Sequence, residues 1–277
     1  MITTHKIGYG STVLYRATAS EALRHAVEQP HNHNIGYSSR THAPSMAWDE
    51  NRGFDGAVKD AMEGVEISHD EQIVVEALIR RQRELQQAED YQYIADPALA
   101  VDIDPVLALQ GDPDCWVGMA PSDVATTRAQ AQGVVVVALH NWDWMVPATT
   151  IRRAGFNAFA LWRGLVSLGI PAQLYVGRAT RHGGRYNMLS LVDLTGLSLP
   201  VIAAHLSPAW FRRIHFGIQE HVEGRTGMPV AATTSYGSQY SPEQASNMLS
   251  ALGIPRSIVM NDSGYCLEQR LRKALCQ

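Results

Sequence analysis

Six consecutive residues, Val134 to Leu139, carry no polar side chain. A strand points successive side chains to opposite faces, so an unbroken apolar run needs burial on both, as in the interior of a parallel sheet covered by helices. Later segments repeat this demand. Ala172 to Val176, Met188 to Val192, Val230 to Thr234 and Ser257 to Met260 read as further strands. Between the first two, Ile151, Ala154, Ala158, Leu161, Leu165 and Leu168 recur at three- and four-residue steps before Gly169, which predicts a long crossover helix with one apolar face. Ser207-Pro208 and Ser241-Pro242 each place a capping hydroxyl ahead of a first-turn proline, and Gln244 stands at the third helical position after Ser241, so both open helices. From Gly133 onward the chain predicts an α/β fold: a doubly wound, mostly parallel sheet of Rossmann-like type.

The first 120 residues read differently, as a mainly helical extension with long polar loops that packs on the main domain of residues 121–277. Leu14 and Tyr15 end a short strand, Ser20 caps a helix from Glu21 to Glu28, and Pro30 stops it. His31 to Asn51 has no periodicity and reads as a loop. Gly53 to Met62 forms a second helix. Ser68-His69-Asp70-Glu71 has capping-box spacing and opens a longer helix with Ile73 and Ala77 on its apolar side. Asp96 to Ala120 is a connection, and its Leu107, Leu109, Trp116 and Met119 favour packing over a free linker.

Composition narrows the function classes. The 277 residues are 45% hydrophobic and 18% charged, with a formal net charge of −4, which argues against a binder driven by nucleic-acid or membrane electrostatics. Cys115, Cys266 and Cys276 have no CxxC spacing, so neither a disulfide framework nor a zinc site is expected. Met1 to Ser11 lacks the charge and apolar pattern of a secretion signal, and no stretch is apolar for the ~20 residues of a membrane span. A cytoplasmic protein is expected.

Ligands of open parallel sheets bind at the carboxyl ends of the strands. His140, Asn141, Trp142, Asp143 and Trp144 follow the first strand, Arg178 and Thr180 the second, Asp193 and Thr195 the third, and Asp262 and Ser263 the last. These are the candidate binding residues. No Gly-x-Ser-x-Gly surrounds a serine, so His140 and Asp143 are read as loop residues and no catalytic set is assigned. The glycine-containing turn from Gly177 to Tyr186 carries Arg178, Arg181 and Arg185, candidate contacts to a phosphate or RNA backbone. Trp210, Phe211, Ile214 and Ile218 follow helical spacing and predict core, with Arg212 and Arg213 facing outward.

His140-Asn141-Trp142-Asp143-Trp144-Met145 resembles the motif that ends the first strand of the von Willebrand factor A (VWA) fold, Asp-x-Ser-x-Ser followed by Met. His140 falls on the aspartate, Trp142 and Trp144 on the serines, and Met145 on the methionine. That motif holds a divalent cation through oxygen, which imidazole and indole do not supply, so a degenerate site with no metal and no cofactor is expected. More widely, Ser20-Glu21-Ala22-Leu23, Phe54-Asp55-Gly56-Ala57-Val58, Asp112-Pro113-Asp114-Cys115 and Trp210-Phe211-Arg212-Arg213 resemble an uncharacterised family of tailed-bacteriophage proteins. That family is related to the VWA-like part of the cobaltochelatase CobT group. The resemblance implies a phage origin and expression in the cytoplasm of a bacterial host. The preferred functional expectation, which rests on the aromatic edge at Trp142 and Trp144, is a non-enzymatic accessory protein that acts as a scaffold for a phage or host protein. The alternative is a nucleic-acid-binding factor or hydrolase working from the same edge.

Overall fold

The computed structural model describes residues 1–7, 10–28, 40, 43–69, 72–73, 76–77, 80, 91–93, 100–103, 116–119, 133–142, 146–167, 170–182, 186–227, 238–254 and 256–260. In chain order these form β1 (Ile2–Ile7), β2 (Gly10–Thr18), α1 (Ala19–Glu28), α2 (Met46–Asp49), α3 (Gly53–Glu63), β3 (Tyr91–Tyr93), β4 (Ala100–Ile103), β5 (Trp116–Met119) and β6 (Val134–Leu139). There follow α4 (Ala148–Ser167), β7 (Ala172–His182), β8 (Tyr186–Asp193), α5 (Leu199–His205), a π-helical turn (Trp210–Ile214), α6 (His215–Thr226), β9 (Ser238–Gln239), α7 (Pro242–Ala251) and β10 (Ser257–Met260).

The main sheet is mixed, with order β1-β2-β8-β7-β6-β10, and β9 pairs beside β7. Three pairs along this path are parallel, β2 with β8, β7 with β6 and β6 with β10, and two are antiparallel, β1 with β2 and β7 with β8. β3, β5 and β4 form a second, antiparallel sheet. The Asp96 to Ala120 stretch, expected as a connection, thus contains two of its strands.

The apolar run behaves as its composition requires. Val134, Val136 and Ala138 face one core, and Val137 and Leu139 the other. The first core lies under α1, α3, α4, α5 and α6, while α7 covers the second, so the sheet carries helices on both faces. The Ser241 capping box closes as expected: its hydroxyl accepts from the Gln244 amide at 3.2 Å, and its own amide donates to Gln244 Oε1 at 2.9 Å. α1 is capped two residues earlier than expected, by Thr18, whose Oγ1 accepts from the Glu21 amide while its amide donates to Glu21 Oε2.

The amino-terminal region departs from the mainly helical reading. β2 pairs in parallel with β8 over eight residues, from Ser11 opposite Tyr186 to Thr18 opposite Asp193, and β1 adds an edge strand. Leu14 and Tyr15 point to opposite cores, so β2 is an interior strand rather than the end of a short one. The stretch expected as a loop from His31 to Asn51 contains α2, and Ile73 and Ala77 are exposed rather than core-facing. The expected strand Val230 to Thr234 lies outside the described residues.

α4 packs closely against the end of α5. A Cβ built on Gly155 would lie 2.7 Å from the Leu206 carbonyl oxygen and 2.8 Å from its Cβ. Gly→Ala in a helix interior ordinarily gains about 1 kcal/mol, whereas overpacking against backbone costs about 1–3 kcal/mol. Gly155→Ala is therefore expected to lower the urea midpoint, with a net loss of about 1 kcal/mol; a raised midpoint would show that α5 gives way freely.

Candidate functional site

His140 continues the face of β6 that carries Val136 and Ala138, and this parity turns its imidazole into the protein. It is 2% exposed, with Phe211 at 5.4 Å and His215 at 5.7 Å between ring centroids, both edge-on. Asn141 points the other way and extends the ladder with its side chain. Its Nδ2 donates to the carbonyls of Ala179 and Tyr240, each at 2.8 Å, and its Oδ1 accepts from the Ala179 amide. Its role here is to join β6, β7 and the start of α7. Trp142 is half-buried. Asp143, Trp144, Met145, Arg185, Asp262 and Ser263 lie outside the described residues.

The other candidate residues do not assemble as a parallel sheet would place them. Because β8 returns antiparallel to β7, Asp193 sits opposite Tyr175 at the amino-terminal edge of β7, away from His140. It accepts from the Thr195 amide at 2.9 Å, and Thr195 Oγ1 in turn accepts from the Leu174 amide, so both residues close a turn at the wrong end for the expected site. Thr180 is buried within β7. Arg178, expected on a solvent-facing turn, is 3% exposed in mid-strand, its guanidinium 4.5 Å from the Phe216 ring centre and 5.4 Å from that of Phe211. This cation is caged by aromatic faces, a favourable place for a partly desolvated charge, and it does not present itself to a nucleic-acid backbone. Arg181, near the end of the strand, is exposed.

Arg212 and Arg213 also turn inward, contrary to the helical-spacing expectation. The residues from Trp210 to Ile214 form a π-turn, in which the His215 amide reaches back five residues to the Trp210 carbonyl. The extra residue in this turn rotates the facing of the helix beyond it, which a 3.6-residue period does not anticipate. Arg213 is fully buried and directs Nε and Nη2 at Asp49 Oδ2, 2.8 and 2.5 Å away. Asp49, itself fully buried, also accepts from the amides of Ser45 and Gly53. Arg212 donates to the carbonyls of Trp48 and Val146, and both guanidinium groups lie over the Trp48 ring. Sequence reasoning misses Asp49 because it stands in a segment without periodicity; the adjacent Arg212-Arg213 pair is the one hint that a buried acid is needed.

Next to this anchor lies a buried polar cluster on α5 and α6. Both ring nitrogens of His140 and of His215, Nε2 of His205 and Nε1 of Trp210 are buried without a hydrogen-bond partner among the described residues. His205 lies 4.0 Å from Trp210 between ring centres. Burial, and secondarily the charge of Arg178, depresses the pKa of His140 to about 3. Burial holds His205 at about 4 against a bond to the Val201 carbonyl that acts the other way, and it lowers His215 strongly. On the next turns of α6 burial raises Glu223 to about 7, although Gln219 donates to it at 2.9 Å. Neutral imidazoles thus lie beside a caged cation and an acid that titrates near neutrality. Of this group the sequence points only to His140 and Arg178.

The divalent cation of the VWA motif does not suit these residues. A hard cation requires oxygen ligands, whereas His140 offers nitrogen in an apolar setting close to the Arg178 guanidinium. Among the described residues no three His, Cys, Asp or Glu side chains are grouped to hold a metal ion.

No family model, curated protein or solved structure matches the chain. Among the described residues, no helix is long and apolar enough to cross a membrane.

Proposed function

We propose that this chain is a non-enzymatic phage accessory protein, a scaffold that binds another phage or host protein in the bacterial cytoplasm through a VWA-like domain with a degenerate metal site. The observation that carries the reading is His140. At the motif's aspartate position stands a buried, neutral imidazole packed on Phe211 and His215, so the edge is occupied by protein packing where the motif would place an ion. The strand order supports a VWA-like arrangement: β6 lies between β7 and β10, the long α4 crosses from β6 to its parallel neighbour β7, and β8 returns antiparallel. The half-buried Trp142 at that edge is the kind of aromatic anchor that protein interfaces favour. The nucleic-acid reading keeps Arg181 but loses Arg178 to the aromatic cage.

Two measurements test the proposal. Affinity purification from infected cells is expected to recover a stoichiometric protein partner whose capture falls with Trp142→Ala. Calorimetric titration with Mg²⁺ or Mn²⁺ is expected to give no saturable heat at micromolar concentration. Micromolar cation binding abolished by a change at His140, or salt-sensitive RNA binding abolished by Arg181→Ala, would overturn it.

A further inference from the structure

Four buried rings meet beside the end of β6: His140 after that strand, Trp210 in the π-turn, His215 at the start of α6 and His205 at the end of α5. Each is 1% or 2% exposed. They follow one another at centroid separations of 5.7 Å from His140 to His215, 6.1 Å from His215 to Trp210 and 4.0 Å from Trp210 to His205. We propose that these rings enclose a buried hydration site, in which about two water molecules, at roughly three hydrogen bonds each, tie the sheet to α5 and α6.

The balance of donors and acceptors selects the ligand. Both ring nitrogens of His140 and of His215, Nε2 of His205 and Nε1 of Trp210 have no hydrogen-bond partner among the described residues. A neutral imidazole carries one N–H donor and one acceptor nitrogen, and an indole only donates. His205 Nδ1 lies 2.8 Å from the Val201 carbonyl oxygen, which can only accept, so Nδ1 holds the proton and Nε2 is an acceptor. The unpartnered set is therefore three donors, on His140, His215 and Trp210, and three acceptors, on His140, His215 and His205. A cation would satisfy the acceptors alone, and an anion the donors alone. Water does both, and a buried polar group without a partner is costly enough to hold it there.

The π-turn brings the rings together. In an α-helix, residues five apart point about 140° away from one another. Here the His215 amide bonds back to the Trp210 carbonyl, and both side chains share the inward face. The two longer contacts are edge-to-face, at 87° and 66° between planes, and no direct hydrogen bond joins these rings. A bridging water makes two bonds of about 2.9 Å and so spans ~6 Å, the scale of both separations. This inference stands apart from the scaffold reading, since the four rings are closed off from any partner protein.

The test is NMR of the full chain in ordinary and ¹⁷O-enriched water. In the unmodified protein the Trp210 Nε1–H is expected to give a dipolar cross peak to water in the laboratory and rotating frames, with the signs of a long-lived bound molecule. Water ¹⁷O relaxation dispersion is expected to count about two fewer long-lived waters in the double variant His140→Phe, His215→Leu than in the unmodified chain. Trp210→Phe, which removes one donor, is expected to speed the exchange of the remaining waters. An equal count in the chain and its folded double variant, or a Trp210 ring without a long-lived water neighbour, would overturn the proposal. So would a stoichiometric metal ion retained at these rings after dialysis. Should the double variant fail to fold, the cross peak in the unmodified protein decides it.

Discussion

Asp49→Ala is expected to destabilise the fold by about 3–5 kcal/mol, because it takes a buried carboxylate away from the buried Arg213 guanidinium. Both partners are fully buried, and Asp49 also accepts from the amides of Ser45 and Gly53, so one substitution removes a charge and the side-chain acceptors of two backbone amides. The cost falls on the joint between α2–α3 and the π-turn. Urea denaturation followed by far-UV circular dichroism should show the midpoint drop with little change in slope. Arg213→Met alone should be similarly harmful, while Asp49→Leu with Arg213→Met should recover much of the loss, since an apolar pair of similar volume often replaces a buried ion pair at little cost. A double-mutant cycle separates the pair energy from the backbone bonds. A loss below about 1 kcal/mol for Asp49→Ala, the level of an exposed pair, would show that the anchor is not the one described.

Acidification is the second large expectation. A histidine whose folded pKa is depressed contributes stability that is complete above its unfolded value of 6.5 and is lost as pH falls toward the folded value. For His140 that window runs from 6.5 down to about 3, and for His205 from 6.5 down to about 4. His215 acts in the same direction. Glu223 has the opposite sign: its pKa is raised from 4.5 to about 7, so its contribution is present below 4.5 and is lost as pH rises through 7. It offsets one histidine and not three. At about 1.4 kcal/mol per pKa unit, lowering the pH from 6.5 to 4 should remove on the order of 5 kcal/mol, a large part of a typical domain's 5–15 kcal/mol. Chemical denaturation at a series of pH values measures this directly. His140→Phe should reduce the proton dependence by about one proton and blunt the acid transition. Stability at pH 5 equal to that at pH 7 would refute the assignment of these imidazoles as buried and neutral.

How much of the fold is legible in the sequence depends on the range of the interaction involved. β6 and β10 are readable to the residue, and α4 and the Ser241 box nearly so, because an apolar run, a 3.6-residue period and a hydroxyl three residues before a glutamine are local signals. β1 and most of β2 are not. Their residues alternate weakly, and their strand partners stand far away in the chain or depend on one another. Asp193 belongs at the carboxyl edge only if β8 is parallel to β7; β8 instead runs antiparallel, from Tyr186 opposite His182 to Asp193 opposite Tyr175, as the short glycine-containing link requires, since a parallel crossover needs a dozen or more residues. Arg212 and Arg213 are misoriented by a single π-turn, which carries no sequence signature that a regular period would reveal. His140 stands out in the sequence, but its position at a strand end does not tell whether it faces solvent or core.

The parallel pairing of β2 with β8 has a consequence for biosynthesis. Thr12 and Asn187, joined across this ladder, are 175 residues apart. At 5–20 residues per second, roughly 9 to 35 s separate the emergence of the two strands from a ribosome. Throughout that interval β2, with Leu14 and Tyr15 pointing to opposite cores, is a nascent segment with neither its neighbour β8 nor most of its covering helices available. Such non-local topology slows folding and exposes strand edges, so the amino-terminal part of the nascent chain is where a chaperone is expected to bind and where a translational pause before β8 would be felt most.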